Sequence, residues 1–177
     1  SIVLPSGFVD DRVILHFGAV DQACEVWVGG MTVGTHRGGY LPFSLDITDA
    51  LAAGGTELVV RVTDSTDTGS ASRGKQSSKR GGIWYTPQSG IWQSVWLESV
   101  PTQHIAGLRV TPDLAGQAVV ITVEGEAGEA RVRIVDDGRV VADHTVATNT
   151  ATAIAVPDPH PWSPADPFLY DLEITLG

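Results

Sequence analysis

Apolar and polar residues alternate over short stretches through most of the first hundred positions. A period of two places successive side chains on opposite faces of a strand. Val13–Phe17 is a nearly continuous apolar run broken by His16, and Cys24–Val28 is a second run broken by Glu25. Gly29-Gly30 separates the latter from Met31-Thr32-Val33, and two strand patterns joined by Gly-Gly predict a tight hairpin. Leu41–Ile47 and Glu57–Val62 continue the series, with Leu58, Val60 and Val62 opposing Val59, Arg61 and Thr63. Between them Asp49–Ala53 predicts a single helical turn, ended by Gly54-Gly55.

The alternation stops at Asp64. From there to Gly90 the chain is Ser, Thr, Gly, Lys, Arg and a few aromatics without period. A stretch of that length without its own secondary structure is uncommon inside a compact domain and points to function or disorder. The pattern resumes over Ile91–Val100, with Ile91, Gln93, Val95, Leu97 and Ser99 on one face and Trp92, Ser94, Trp96 and Glu98 on the other. Pro101 marks a boundary. Beyond it Ile105–Val110, Val119–Val123, Ala130–Val135, Val140–Val146, Ala151–Val156 and Leu169–Leu176 predict a second set of strands, and Asp136-Asp137-Gly138 predicts a hairpin between two of them. Twenty glycines and ten prolines spread along the chain break it into short pieces, which favours strands and turns over long helices. The expected fold is all-β, with one domain over 1–100 and an immunoglobulin-like β-sandwich over 101–177. The sandwich is read from strand spacing alone, since the Cys–Trp–Cys core of antibody domains is absent.

A hydrophobic fraction of 42% is enough for packed cores in 177 residues. A formal net charge of −10 argues against nucleic acid and anionic membrane as partners, because both need a basic face. A neutral partner such as a sugar is untouched by that argument. No apolar run approaches the ~18 residues of a membrane span. Cys24 is the single cysteine, so no internal disulfide forms, and its apolar setting suits a small buried residue. His16, His36, His104, His144 and His160 stand singly without metal-ligand spacing. Gly34–Gly39 lacks the lysine and following helix of a phosphate loop. No metal and no cofactor is expected.

Charge changes the picture in one place. The aperiodic stretch holds both lysines of the chain, Lys75 and Lys79, together with Arg73 and Arg80, and no acid lies between Asp67 and Glu98. An acidic protein thus gathers a basic cluster on its longest loop, beside Trp84, Tyr85 and Trp92. Aromatic rings stack on the apolar faces of sugars, while Arg, Gln and Ser bind hydroxyls, and a small-molecule site wants that mixture. The competing reading is that these side chains pack on the domain edge. Trp27 and Trp96 lie within strand patterns and read as core. Hydrolysis of a glycoside needs two carboxylates flanking the scissile bond. Glu124, Glu126 and Glu129 crowd what reads as a solvated hairpin tip, and Asp64 and Asp67 open the loop, where Asp also serves turns. The pattern picks out no catalytic pair.

Several ordered motifs add to this reading. Leu15-His16-Phe17-Gly18-Ala19-Val20-Asp21, Val26-Trp27-Val28-Gly29-Gly30, Val33–Tyr40 and Pro42-Phe43 occur in sequence. Asp46-Ile47-Thr48, Arg73-Gly74-Lys75-Gln76 and Ser89–Glu98 follow. Together they resemble the sugar-binding domain of glycoside hydrolase family 2, which includes β-galactosidases, β-glucuronidases and β-mannosidases. Pro161-Trp162-Ser163-Pro164 and Pro167-Phe168-Leu169-Tyr170 resemble that family's immunoglobulin-like domain.

The resemblance implies a jelly-roll β-sandwich, then an immunoglobulin-like sandwich, then a (β/α)₈ barrel carrying both catalytic glutamates. A barrel takes roughly 250 residues, so the acid/base and the nucleophile are expected outside this chain and no catalytic residue within it. The opening Ile2-Val3-Leu4-Pro5 corresponds to a mid-domain position, so earlier strands are expected, as is more of the second sandwich beyond the end. The chain alone is expected to be inactive, an accessory region of a retaining β-glycosidase that braces the absent barrel and lends a rim loop to its β-glycoside site through Arg73, Lys75, Gln76, Trp84, Tyr85 and Trp92. Self-association through exposed strand edges is a further expectation. The alternative is a stand-alone carbohydrate-binding module. One departure is notable: where the family usually has Asn-Gly after the Val-Trp-Val strand, this chain has Gly29-Gly30, and in relatives that Asn can help hold substrate.

Overall fold

The computed structural model describes residues 1–8 and 10–177, which divide into two compact units, Ser1–Pro101 and Thr102–Gly177. The first unit runs β1 (Arg12–Phe17), β2 (Val20–Asp21), β3 (Ala23–Val28), β4 (Met31–Arg37), β5 (Phe43–Asp46), α1 (Thr48–Ala52), β6 (Leu58–Thr63), β7 (Gly90–Ile91) and β8 (Val95–Val100). Its antiparallel sheets have the orders β5-β1-β8, β4-β3-β6 and β2-β7.

The two central strands set the core. β1 buries Val13, Leu15 and Phe17 and turns Arg12, Ile14 and His16 outward, while β3 buries Cys24, Val26 and Val28 and turns out Ala23, Glu25 and Trp27. These six buried residues pack in one cluster with Val20, Ile47 and Ala50, flanked by Phe43, Leu45, Leu58, Val60, Val62 and Leu97. Burial of this kind stabilises by about 25 cal/mol per Å² of apolar surface removed from water. The Phe17 and Phe43 rings stack at 4.8 Å across the β1–β5 pair.

The Gly29-Gly30 hairpin forms between β3 and β4 with φ of 56° and 81°, the pair of left-handed residues that a type I′ turn requires. β4 runs on past the expected Val33 to Arg37. A register shift at Val26/Trp27 lets the ladder continue, and Gly34 gives Leu45 the space its own Cβ would take. The helical turn spans Thr48–Ala52 and buries Ala50. It is tied to β1 by the Val13 amide, which donates to Thr48 Oγ1 at 2.9 Å.

The strands differ from expectation in two places. Ile91–Val100 is not one strand. Gly90-Ile91 pair with β2, Trp92–Ser94 leave the ladder, and Val95–Val100 pair with β1, so the chain changes sheets midway. The Gly18 amide donates to the Ser94 carbonyl at 2.8 Å at that crossing. Nor do Trp27 and Trp96 enter the core. The register sets Leu97 opposite the buried Leu15, which forces Trp96 outward beside His16, where it is 47% exposed and its ring stacks on the imidazole at 4.8 Å. Trp27 lies on the outer face of β3 beneath the guanidinium of Arg61, 5.4 Å from the ring centroid.

The second unit runs β9 (Ile105–Asp113), β10 (Ala118–Gly125), β11 (Glu129–Asp136), β12 (Arg139–Ala147), β13 (Thr152–Ala155) and β14 (Asp171–Leu176). Its two sheets, β13-β10-β9 and β12-β11-β14, form a sandwich. Ile121 and Val123 of β10 meet Ala130, Val132 and Ile134 of β11 in the core, with Ala142, Val146, Ile154 and Val156 around them. Pro112 sits on the edge strand β9, where its missing N–H leaves no ladder bond unmade. Asp137 and Gly138 turn β11 into β12 with φ of 44° and 81°. An apolar cavity of about 500 Å³ opens within this unit, lined by Val110, Leu114, Val119, Trp162, Leu169 and Tyr170 among others. The fold is all-β.

Candidate functional site

The long loop, residues 64–89, leaves β6 and returns as β7. It is built around the carboxylate of Asp67. The Ser78 amide and the Ser77 hydroxyl each donate to Asp67 Oδ2 at 2.9 Å, and the Ser78 hydroxyl reaches Oδ1 at 3.0 Å. The Ser78 amide, with the two hydroxyls behind it, holds this carboxyl below its ordinary range, because each bond favours the ionised form. Asp67 is thus the hub of the loop, which explains why an acid opens an otherwise basic stretch.

A second layer closes the neck. The Ser89 hydroxyl and the Thr66 amide donate to Asp64 at 2.5 and 2.7 Å, joining the first and last residues of the loop. Beneath them, Asp21 of β2 is bonded to the Gln76 side chain. Burial, with help from the nearby charge of Asp64, pushes the Asp21 carboxyl up, against the pull of Gln76. The Gln76 amide oxygen accepts from the Gln88 backbone N–H. The Tyr85 N–H donates to the Lys75 carbonyl at 2.8 Å, and the Ser77 N–H to the Tyr85 carbonyl at 3.1 Å. The two limbs therefore pair through a short ladder that carries no strand periodicity in sequence.

The six candidate residues fall into two kinds of position. Arg73 and Gln76 are engaged within the loop: Arg73 Nη1 donates to the Asp67 carbonyl at 2.5 Å and its guanidinium lies 5.5 Å over the Trp84 ring. Lys75, Tyr85 and Trp92 present exposed side chains, and Trp84 is 37% exposed with Arg73 over its ring. Trp92 is anchored by its indole N–H, which donates to the Gly39 carbonyl at 2.8 Å, and meets Tyr40 edge-on at 6.2 Å. A Cβ placed on Gly74 would lie 3.6 Å from the Tyr40 hydroxyl, so Tyr40 stands next to Arg73-Gly74. The result is an exposed surface of Tyr40, Trp84, Tyr85 and Trp92 with Arg73 and Lys75 among them, a set of apolar platforms beside donors for hydroxyl or carboxylate groups.

Sequence reasoning missed Asp21 and Tyr40 as members of this site. Both lie in the quoted motifs, Tyr40 directly after Gly38-Gly39, but nothing local ties them to a loop that follows dozens of residues later. Among the described residues, no group of His, Cys, Asp and Glu could hold a metal ion, and no helix is long and apolar enough to cross a membrane.

Residues 1–101 match the family model for the glycosyl hydrolases family 2 sugar binding domain, and residues 103–177 match the model described as glycosyl hydrolases family 2. A putative β-glucuronidase of Formosa agariphila is 28% identical over 175 residues, covering 92% of this chain and 20% of that protein. A β-galactosidase of Thermoanaerobacter pseudethanolicus is 27% identical over 181 residues, covering 93% of this chain and 24% of that protein. The solved structure of a Lactobacillus rhamnosus β-glucuronidase superposes with a TM-score of 0.73 at 28% identity, covering 99% of this chain and 31% of that one. This chain therefore spans a fifth to a third of the length of the relatives it matches. With family models matched across both of its units, the chain belongs to glycoside hydrolase family 2.

Proposed function

We propose that this chain is a non-catalytic accessory region of a retaining β-glycosidase of the β-galactosidase or β-glucuronidase type, acting on the O-glycosidic bond of a β-glycoside. Its two β domains brace a catalytic barrel outside this sequence. Its loop 64–89 contributes to the rim of the barrel's substrate site, the role for which loops on a rigid sandwich are suited.

The observation that carries this reading is the order of the loop. A segment without periodic secondary structure is held by Asp67, Asp64 and Asp21, yet it leaves Tyr85, Trp92 and Lys75 exposed. Internal bonds fix the shape, and the remaining aromatic and cationic groups are the part free to meet a sugar. In this division Arg73 and Gln76 position the loop, while Lys75, Trp84, Tyr85 and Trp92 make contact. The carboxylates here serve the loop itself, and none is assigned a catalytic role.

Arg73→Ala, Gln76→Ala and Trp84→Ala in the whole enzyme test the rim role. Reduced kcat/KM, or a changed ratio of rates on aryl β-galactoside and aryl β-glucuronide, is expected. Unchanged activity and unchanged preference in all three variants would remove the loop from the site. The accessory role has its own test, since this chain alone should hydrolyse neither glycoside.

A further inference from the structure

The outer face of the β4-β3-β6 sheet bears a polar depression that the loop does not share. Its floor is Ala23, the smallest outward side chain of the central strand β3. In the register Ala23 lies between Arg37 of β4 and Thr63 of β6, and in the next row Glu25 lies between Thr35 and Arg61. A methyl flanked by longer side chains on both neighbouring strands leaves a hollow, here about 310 Å³ and lined by these six residues together with Cys24 and His36. That is the lower end of the size range for small-molecule sites.

The charges within it are unequal. Arg61 is paired with Glu25 and lies over the Trp27 ring in the adjoining row, so the one acid of the hollow is already matched. Arg37 is exposed, and among the described residues no ion pair or side-chain hydrogen bond is made by its guanidinium. A chain of net charge −10 thus holds a guanidinium with unused donors at the rim of a hollow that also offers two threonine hydroxyls. A guanidinium fork matches a carboxylate bidentately. Thr35, Thr63 and Glu25 can exchange hydrogen bonds with ring hydroxyls.

We propose that this hollow binds a carboxylate-bearing sugar unit, a uronate residue of an acidic glycan, with Arg37 as the carboxylate anchor. A neutral sugar would leave Arg37 unanswered. A polyphosphate or polysulfate can take the guanidinium and the threonine hydroxyls, but it has fewer free ring hydroxyls to give Glu25 a donor, and its denser charge meets that carboxylate and the acidic remainder of the chain. No residue of the loop 64–89 lines the hollow, so binding there does not depend on the loop's role at the rim.

Affinity electrophoresis of the 177-residue chain in native gels tests it, with polygalacturonate, a neutral β-glucan or dextran sulfate cast in the gel. Retardation by polygalacturonate alone is expected, with the apparent Kd raised at least fivefold by Arg37→Ala and by less with Thr63→Val. Both positions lie on the outer face of the sheet, and unchanged thermal melts of the variants exclude unfolding as the cause. Equal retardation by dextran sulfate would reduce the site to non-specific anion attraction and overturn the proposal. Equal retardation by β-glucan, or no effect of Arg37→Ala, would overturn it as well. Loss of binding in Trp84→Ala with retention in Arg37→Ala would assign the binding to the loop instead, which separates this proposal from the rim reading.

Discussion

Arg73 lies over the indole of Trp84, 5.5 Å from ring centroid to guanidinium carbon, while its Nη1 bonds the carbonyl of Asp67. One side chain thereby links the outgoing and returning limbs of the long loop. A cation over an aromatic face at a partly exposed position contributes about 0.5–1 kcal/mol.

Arg73→Ala should therefore loosen the loop without unfolding the sheets. Lys75, Lys79 and Arg80 lie within it, so trypsin reports the opening directly. Cleavage at these sites should accelerate roughly fivefold, the factor that about 1 kcal/mol of local opening corresponds to. Cleavage at the wild-type rate would show that other contacts hold the limbs together.

Asp67 makes the loop sensitive to acid in a defined direction. Bonds from the Ser78 amide and the Ser77 and Ser78 hydroxyls lower its native pKa below the unfolded value of about 3.9. The linked stability is present above the unfolded value and is lost as pH falls through the lowered native one. The amide proton of Ser78, followed by NMR from neutral pH downward, should show an inflection below 3.9 that disappears in Asp67→Asn. An inflection at or above 3.9 would contradict the hub role.

The Gly29-Gly30 turn separates two effects that a glycine can have. At Gly29, with φ of 56°, a Cβ would overlap the Cα of Gly55; at Gly30, with φ of 81°, nothing lies within 4 Å. Gly30→Ala should cost about 1–2 kcal/mol, the penalty of the left-handed conformation alone. Gly29→Ala should cost more than about 2 kcal/mol, because the backbone of residue 55 must also move. Equal melting temperatures for the two variants would show that the contact with Gly55 yields freely.

What could be read from sequence follows from where the information lies. The two I′ turns are legible because Gly29-Gly30 and Asp137-Gly138 declare their own backbone, and β1, β3 and β6 are legible because alternate residues must be buried. The break between β7 and β8 is not, since Trp92-Gln93-Ser94 keep alternating although the chain there passes from one sheet to another. Trp27 and Trp96 mislead for a related reason. Size suggests core, but facing is fixed by the pairing of Leu97 with Leu15 and of Val26 with Val60, which turns the adjacent Trp96 and Trp27 outward. The loop announces itself by length and composition. Its dependence on Asp21 and Tyr40 does not, because those residues reach it only through the fold.

The bond from the Ser89 hydroxyl to Asp64, next to the β2–β7 pair, closes the loop at its neck. The segment between those two residues hangs from a tied base and meets the sheets again through Gln76 and Asp21, so the sheets receive the same two ends while the tip is free to vary. Such a segment behaves as an exchangeable cartridge: selection can rewrite its tip, lengthen it or replace its aromatics while the sandwich that carries it keeps its register.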